Sequence, residues 1–253
     1  MSIKKRKLDL NRHQKSKMTG AAMAEMVIIT PVALILIMGV IQTALIYQAK
    51  ATLNYAALMA ARGGSARNAD YESIKIGLQK GILPLYSPPK LIDTVVGFGK
   101  AAIEAGVDVG IGNGANNNPL PSMATRITIL NPTKEAFDDF GVMINGQRQI
   151  PNSRLHLRGT GVGALSGVSI QDANLLKVKI EYCYSLKVPF VDSVITTAAT
   201  LVATDGTGWT QTCLGFNRIP IVATSMVRMQ TPIIENEWIQ KRDDVEQQLA
   251  DAL

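Results

Sequence analysis

The chain has 253 residues, 47% hydrophobic and 18% charged, with a formal net charge of +6. That content excludes a wholly disordered chain and suits one domain with an appendage. Seven basic side chains (Lys4, Lys5, Arg6, Lys7, Arg12, Lys15 and Lys17) stand in residues 1–20 against Asp9 alone, so this segment holds the whole excess. The neutral remainder implies no basic face for nucleic acid.

After the basic segment comes a run without charge. Between Lys17 and Lys50 the only charge is Glu25, and Met26–Ala49 is uncharged throughout. As a helix those residues span about 36 Å, against a hydrocarbon core of roughly 30 Å, and so predict a transmembrane helix. Basic residues on the N-terminal flank place that end in the cytoplasm and everything after Lys50 outside. Pro31 and Gly39 lie inside the run; membrane helices tolerate both, and Pro31 is expected to kink this one. A cleaved secretory signal fits poorly, because no good small-x-small site follows the apolar stretch closely. An uncleaved signal anchor remains open.

A third reading rests on Gly20-Ala21-Ala22-Met23-Ala24-Glu25-Met26, in which a basic leader ends in Gly and Glu follows five residues later. This resembles the type IV prepilins, whose peptidase cuts after the Gly on the cytoplasmic side. The resemblance implies cleavage between Gly20 and Ala21, leaving Glu25 as the fifth mature residue. An ionisable group in an apolar helix is costly and marks function. Glu25 shares a helix face with the new α-amino group of Ala21, four residues away. Between staggered neighbouring helices, carboxylate and amine would pair and set the subunit offset. The plainer alternative is a carboxylate placed at a helix N-terminus by the macrodipole.

More specifically, the segment is similar to the TadE-like family, minor pilins (pseudopilins) of the tight-adherence (Tad/Flp) type IV pilus. The residues are Gly20–Glu25, Ile29-Thr30-Pro31, Tyr47–Leu53 and the Ala-rich exit Ala56–Arg67. A lesser similarity lies in Lys177–Tyr182, Val188-Pro189-Phe190 and Ile219–Arg228. The resemblance implies a non-enzymatic pilus-assembly protein without cofactors, held in the bacterial inner membrane. Its implied partners are the bilayer, a prepilin peptidase and other pilins of the Tad machinery. The competing class is a bitopic, membrane-anchored cell-envelope binding protein.

Outside the membrane, Ala, Leu and Met predict that the helix continues through Lys50–Arg62, with Gly63-Gly64 expected to stop it. Amphipathic stretches follow at Tyr71–Ile82 and Lys90–Ala105, then a loop by composition at Gly106–Pro121. Leu176–Val188 alternates strictly, with Leu176, Val178, Ile180, Tyr182 and Tyr184 on one side and Lys177, Lys179, Glu181 and Cys183 on the other. That pattern predicts an antiparallel strand with one buried and one polar face. Ile219–Gln230 and Arg126–Leu130 are further strand candidates, and Phe190–Val202 is a helix or a loop. The expected fold is α+β: a leader at 1–20, a long N-terminal helix at 21–66, an extracytoplasmic domain at 67–233 with a three- or four-stranded antiparallel sheet, and a charged helix at 234–253.

Cys183 and Cys213 are the only cysteines. A thiol on the polar side of a strand in an oxidising compartment suggests a disulfide, although two free thiols are also compatible. A metal site is disfavoured, since one histidine, His156, stands in the body and no Cys-x-x-Cys occurs. Gly159–Ala164 reads as G-x-G-x-x-A, but no helical pattern follows, so a glycine-rich turn is the better reading. Asp138-Asp139 and Asp205-Gly206 suit helix ends and turns better than calcium. No pattern for catalysis emerges. At the C-terminus Trp238, Val245, Leu249 and Leu253 form a thin apolar stripe that either docks a partner or caps its own domain.

Overall fold

The computed structural model describes residues 19–86, 102–105, 124–189, 191–202 and 208–250. Its first element is helix α1, Thr19–Ser65, 47 residues that run on through Pro31. The helix also passes Gly63-Gly64, where a stop was expected. The reason is a close neighbour, helix α2 (Tyr71–Ile82), which returns antiparallel along the end of α1. A Cβ on Gly64 would stand 2.7 Å from the Ile74 side chain, and one on Gly77 2.5 Å from the Met59 carbonyl oxygen. The glycines therefore serve interhelical approach, and Ala56, Ala57, Ala60 and Ala61 are fully buried in the same seam. Ordinarily glycine weakens a helix interior by about 1 kcal/mol, which tertiary packing here offsets.

A tight turn joins the two helices. Asn68 and Ala69 adopt positive φ (58° and 60°), and the Ala69 amide donates to the Gly64 carbonyl at 2.9 Å. Asp70 then caps α2 by accepting from the Ser73 amide (2.9 Å) and hydroxyl (2.7 Å).

The main sheet has the order β1-β4-β5, all antiparallel, from Thr125–Asn131, Leu175–Ser185 and Arg218–Arg228. β4 is central, with Ile180 paired to Ile127 on one side and to Ala223 on the other. Leu176, Val178 and Ile180 are fully buried in a core shared with Leu53 and Ile74. The sheet thus packs on the outer part of α1, as an α+β pilin-like arrangement requires. A second, small sheet has the order β2-β3-β6 (Val142–Ile144, Gln147–Ile150, Ile233–Ile234). Its hairpin turns at Asn145-Gly146, both at positive φ, the geometry of a two-residue type I′ turn. Helix α3 (Lys134–Phe140) precedes that hairpin, and the short α4 (Ile170–Ala173) leads into β4.

Two expectations need correction. The far face of β4 is not an open polar face: Lys179, Glu181 and Cys183 are buried. Paired charges and a covering helix make this tolerable, since Glu181 takes an ion pair from Arg126 and another from Lys179 at 3.2 Å. The C-terminal stretch is also not helical from residue 234. Ile239 is buried and bridges to Ile129, Trp238 stacks on Tyr71 with ring centroids 4.0 Å apart, and the last helix spans only Arg242–Ala250. Val245 is buried, so the described part of that helix caps its own domain.

Phe190–Val202, left between helix and loop, is helix α5 over Val191–Val202, followed by α6 at Gly208–Gly215; the C-terminal helix is α7. Of Lys90–Ala105 only residues 102–105 are described, and they are helical. The loop expected at Gly106–Pro121, the leader up to residue 18, and Asp205-Gly206 lie outside the described residues.

Candidate functional site

Helix α1 changes character along its length. Its outer part carries Ala49, Leu53, Ala56, Ala57, Ala60 and Ala61 on one buried stripe at helical spacing. Its inner part is bare: Met26, Val27, Ile28, Ile29, Val32, Leu34, Ile35, Leu36 and Ile37 are all more than half exposed. The helix is long and apolar enough to cross a membrane, and only 6% of its most apolar window is buried. The core helix of a soluble protein would show the reverse. Such a surface is stable where its surroundings are equally apolar.

The boundary between the two parts is Gln42, which is fully buried. Its side-chain oxygen accepts from the backbone amides of Lys187 (3.1 Å) and Val188 (2.8 Å), just past the end of β4. One polar side chain in an otherwise apolar run therefore ties the β4–α5 connection to a fixed level of α1. The amide nitrogen of Gln42 has no partner among the described residues. Eight residues further along, the Lys50 ammonium donates to the Val222 carbonyl of β5, a second tie between rod and sheet.

Glu25 is exposed within the first turns of α1, and Gly20 and Ala21 fall at the very start of the helix. Along the axis Glu25 and Gln42 are about 26 Å apart, close to the thickness of a hydrocarbon core. Among the described residues Glu25 takes part in no hydrogen bond or ion pair within the chain, and it is exposed.

Cys183 and Cys213 form a disulfide with Cα atoms 5.4 Å apart. It joins the C-terminal end of β4 to α6 and closes the excursion that contains α5 and most of α6. In the chain-entropy description, closing a loop of this size stabilises by roughly 3–4 kcal/mol. The same helix carries Trp209, whose ring lies 5.7 Å from the Arg126 guanidinium. Disulfide, ring and ion pairs together explain how the charged face of β4 is covered.

The glycine-rich segment is a structural loop. The Asp139 carboxylate accepts from the Leu165 and Ser166 amides and from the Ser166 hydroxyl at 2.7 Å. These bonds, the Ser166 hydroxyl first, hold the Asp139 carboxyl below its usual range. The end of this loop is thus held by a carboxylate of the chain itself, and the helix that follows has only four residues. Asp138 pairs with Arg148 at 2.7 Å, and His156 sits exposed on a single 3-10 turn, Leu155–Leu157. Among the described residues no group of three His, Cys, Asp or Glu side chains could hold a metal ion.

Reasoning from sequence did not single out Gln42 or Lys50. The signal was present, as each is a polar group interrupting an apolar helix face, but an uncharged Gln does not disturb hydropathy enough to draw notice.

Residues 20–62 match the family model described as TadE-like protein. No curated protein and no solved structure matches the chain. The matched segment covers the bare part of α1, Glu25, Gln42 and the start of the Ala-rich seam; it ends where the glycines begin.

Proposed function

From a TadE-like segment at the N-terminus, we propose that the protein is a minor pilin (pseudopilin) of a Tad-type pilus, a structural component of pilus biogenesis. The observation that carries this is the match at residues 20–62 lying on a helix whose inner half is bare and whose outer half is sealed into an α+β domain. The apolar rod holds the subunit in the bacterial inner membrane, with the domain outside. Removal of the basic leader by a prepilin peptidase, between Gly20 and Ala21, frees an α-amino group at the head of the rod. Glu25 of one subunit then pairs with that amine on an axially displaced neighbour. In an apolar medium an unpaired carboxylate is costly, so the pairing selects one stagger among many. The reading is structural rather than catalytic, and its partners are the peptidase and other pilins.

The test is a Glu25→Ala variant expressed in place of the wild type. Membrane levels of the protein are expected to stay normal while its association with assembled fibres is lost. Undiminished fibre association would remove the assembly role of Glu25.

A further inference from the structure

Helix α5 presents a second apolar surface that the assembly reading does not use. On a helical wheel Val191, Val194, Ile195, Ala198, Ala199, Leu201 and Val202 occupy one arc, and Asp192, Ser193, Thr196, Thr197 and Thr200 occupy the other. Val194 is 64% exposed and Leu201 75% exposed. Between α5 and α1 runs an open groove of about 920 Å³, walled by Leu36, Gly39, Val40 and Thr43 on one side and by Val191 and Val194 on the other. A Cβ on Gly39 would meet nothing within 4 Å, so the groove is unfilled at its floor.

The α1 wall of this groove is continuous with the bare membrane-crossing surface. From Glu25 to Gly39 the rise is about 21 Å, inside a core of roughly 30 Å that starts at Glu25. Because Gln42 fixes the β4–α5 connection at its level, α5 cannot ride up into water while α1 spans the bilayer. Hydroxyl chemistry agrees with an apolar setting. Thr196, Thr197 and Thr200 each donate to a backbone carbonyl four residues earlier in α5, and Thr43 does the same to Gly39 in α1. These four donors need no water. The one carboxylate, Asp192, stands in the first turn, where the helix dipole favours it.

We propose that α5 is an interfacial helix lying in the membrane leaflet next to the folded domain, with lipid acyl chains filling the groove between α5 and α1. The inference rests on α1 spanning the membrane. It assigns α5 a function: it holds the domain against the bilayer at a fixed depth until lipid is exchanged for other contacts. Interfacial helices of this kind bind through buried apolar area, which Val194, Ala198 and Leu201 supply.

Single cysteines at Ile37, Ser193, Val194 and Leu201 place a nitroxide label at four exposed sites, since Cys183 and Cys213 are already bonded to each other. The full chain is reconstituted into phosphatidylcholine–phosphatidylglycerol vesicles, and relaxation by oxygen is compared with relaxation by a water-soluble nickel chelate. Labels at Ile37, Val194 and Leu201 should favour oxygen severalfold more than the label at Ser193. If Val194 and Leu201 match Ser193 while Ile37 favours oxygen, the span stands and the interfacial helix is wrong. Chelate access at Ile37 as well would overturn both. Spin–spin broadening at Val194, with an oxygen preference that disappears on dilution to one chain per vesicle, would assign the groove to a second copy and overturn the lipid assignment.

Discussion

Replacing Gln42 with Leu isolates the tie between rod and domain. Two part-buried backbone donors, at Lys187 and Val188, lose their shared acceptor, and a donor left unpaired away from water costs about 1–3 kcal/mol. Leucine also removes the unpartnered amide nitrogen, which returns a cost of similar size for one group. The balance is a local destabilisation of about 1–3 kcal/mol, or about 5- to 150-fold in an opening equilibrium. Hydrogen exchange of the full chain in lipid nanodiscs reads this directly, through a peptide spanning residues 185–189. Protection there should fall by that factor, while peptides from β4 and α2 change little. Thr43→Val serves as control, since its hydroxyl bonds only to Gly39 of its own helix. Unaltered protection at Lys187 and Val188 in the Leu variant would refute the idea that Gln42 fixes the domain on the helix.

Gly77→Ala should destabilise even though alanine is the better helix former by about 1 kcal/mol, because overpacking against Met59 and Ala60 backbone costs about 1–3 kcal/mol. Thermal unfolding should shift down by a few degrees, and a rise in midpoint would contradict the close approach of α1 and α2. The Cys183→Ser, Cys213→Ser double variant should lose about 3–4 kcal/mol. Limited proteolysis should then cut the α5–α6 excursion before the sheet, and an unchanged cleavage pattern would count against the staple. Asp139 gives a pH dependence of known sign. Its carboxyl is held low in the folded state, so its contribution is complete above about pH 4, the unfolded carboxylate range, and is lost as pH falls through the lower folded value. Asp139→Asn should flatten that acid-side decline in thermal midpoint; an identical pH profile would show that the loop does not depend on the carboxylate.

The membrane span was legible because hydropathy is a sum over many residues, and Met26–Ala49 contains no charge to spoil it. β4 was legible through its alternation, yet its burial was half misread. Lys179, Glu181 and Cys183 look solvent-facing until Arg126, from another strand, and Cys213, from another helix, are known to sit over them. Gly63-Gly64 misled for a related reason, since a helix-breaking preference of about 1 kcal/mol per residue is readily overruled by a neighbour that needs the space. Phe190–Val202 stayed open between helix and loop because Val, Ile and Thr have little helix preference of their own. Residues 235–241 carry the charge pattern of a helix, whereas the structure holds them as a turn and an isolated bridge, with Ile239 against Ile129 and Trp238 stacked on Tyr71. The Asn145-Gly146 hairpin was a strong local signal within reach of the sequence.

The account turns on whether the rod acquires a new amino terminus at Ala21. Intact-mass spectrometry of the protein purified from membranes of cells with an active prepilin peptidase decides this. The expected species begins at Ala21 and converts to the longer form when the peptidase is deleted. A chain that keeps residues 1–20 in both backgrounds, and still supports normal piliation, would contradict the pilin reading and favour an uncleaved membrane anchor.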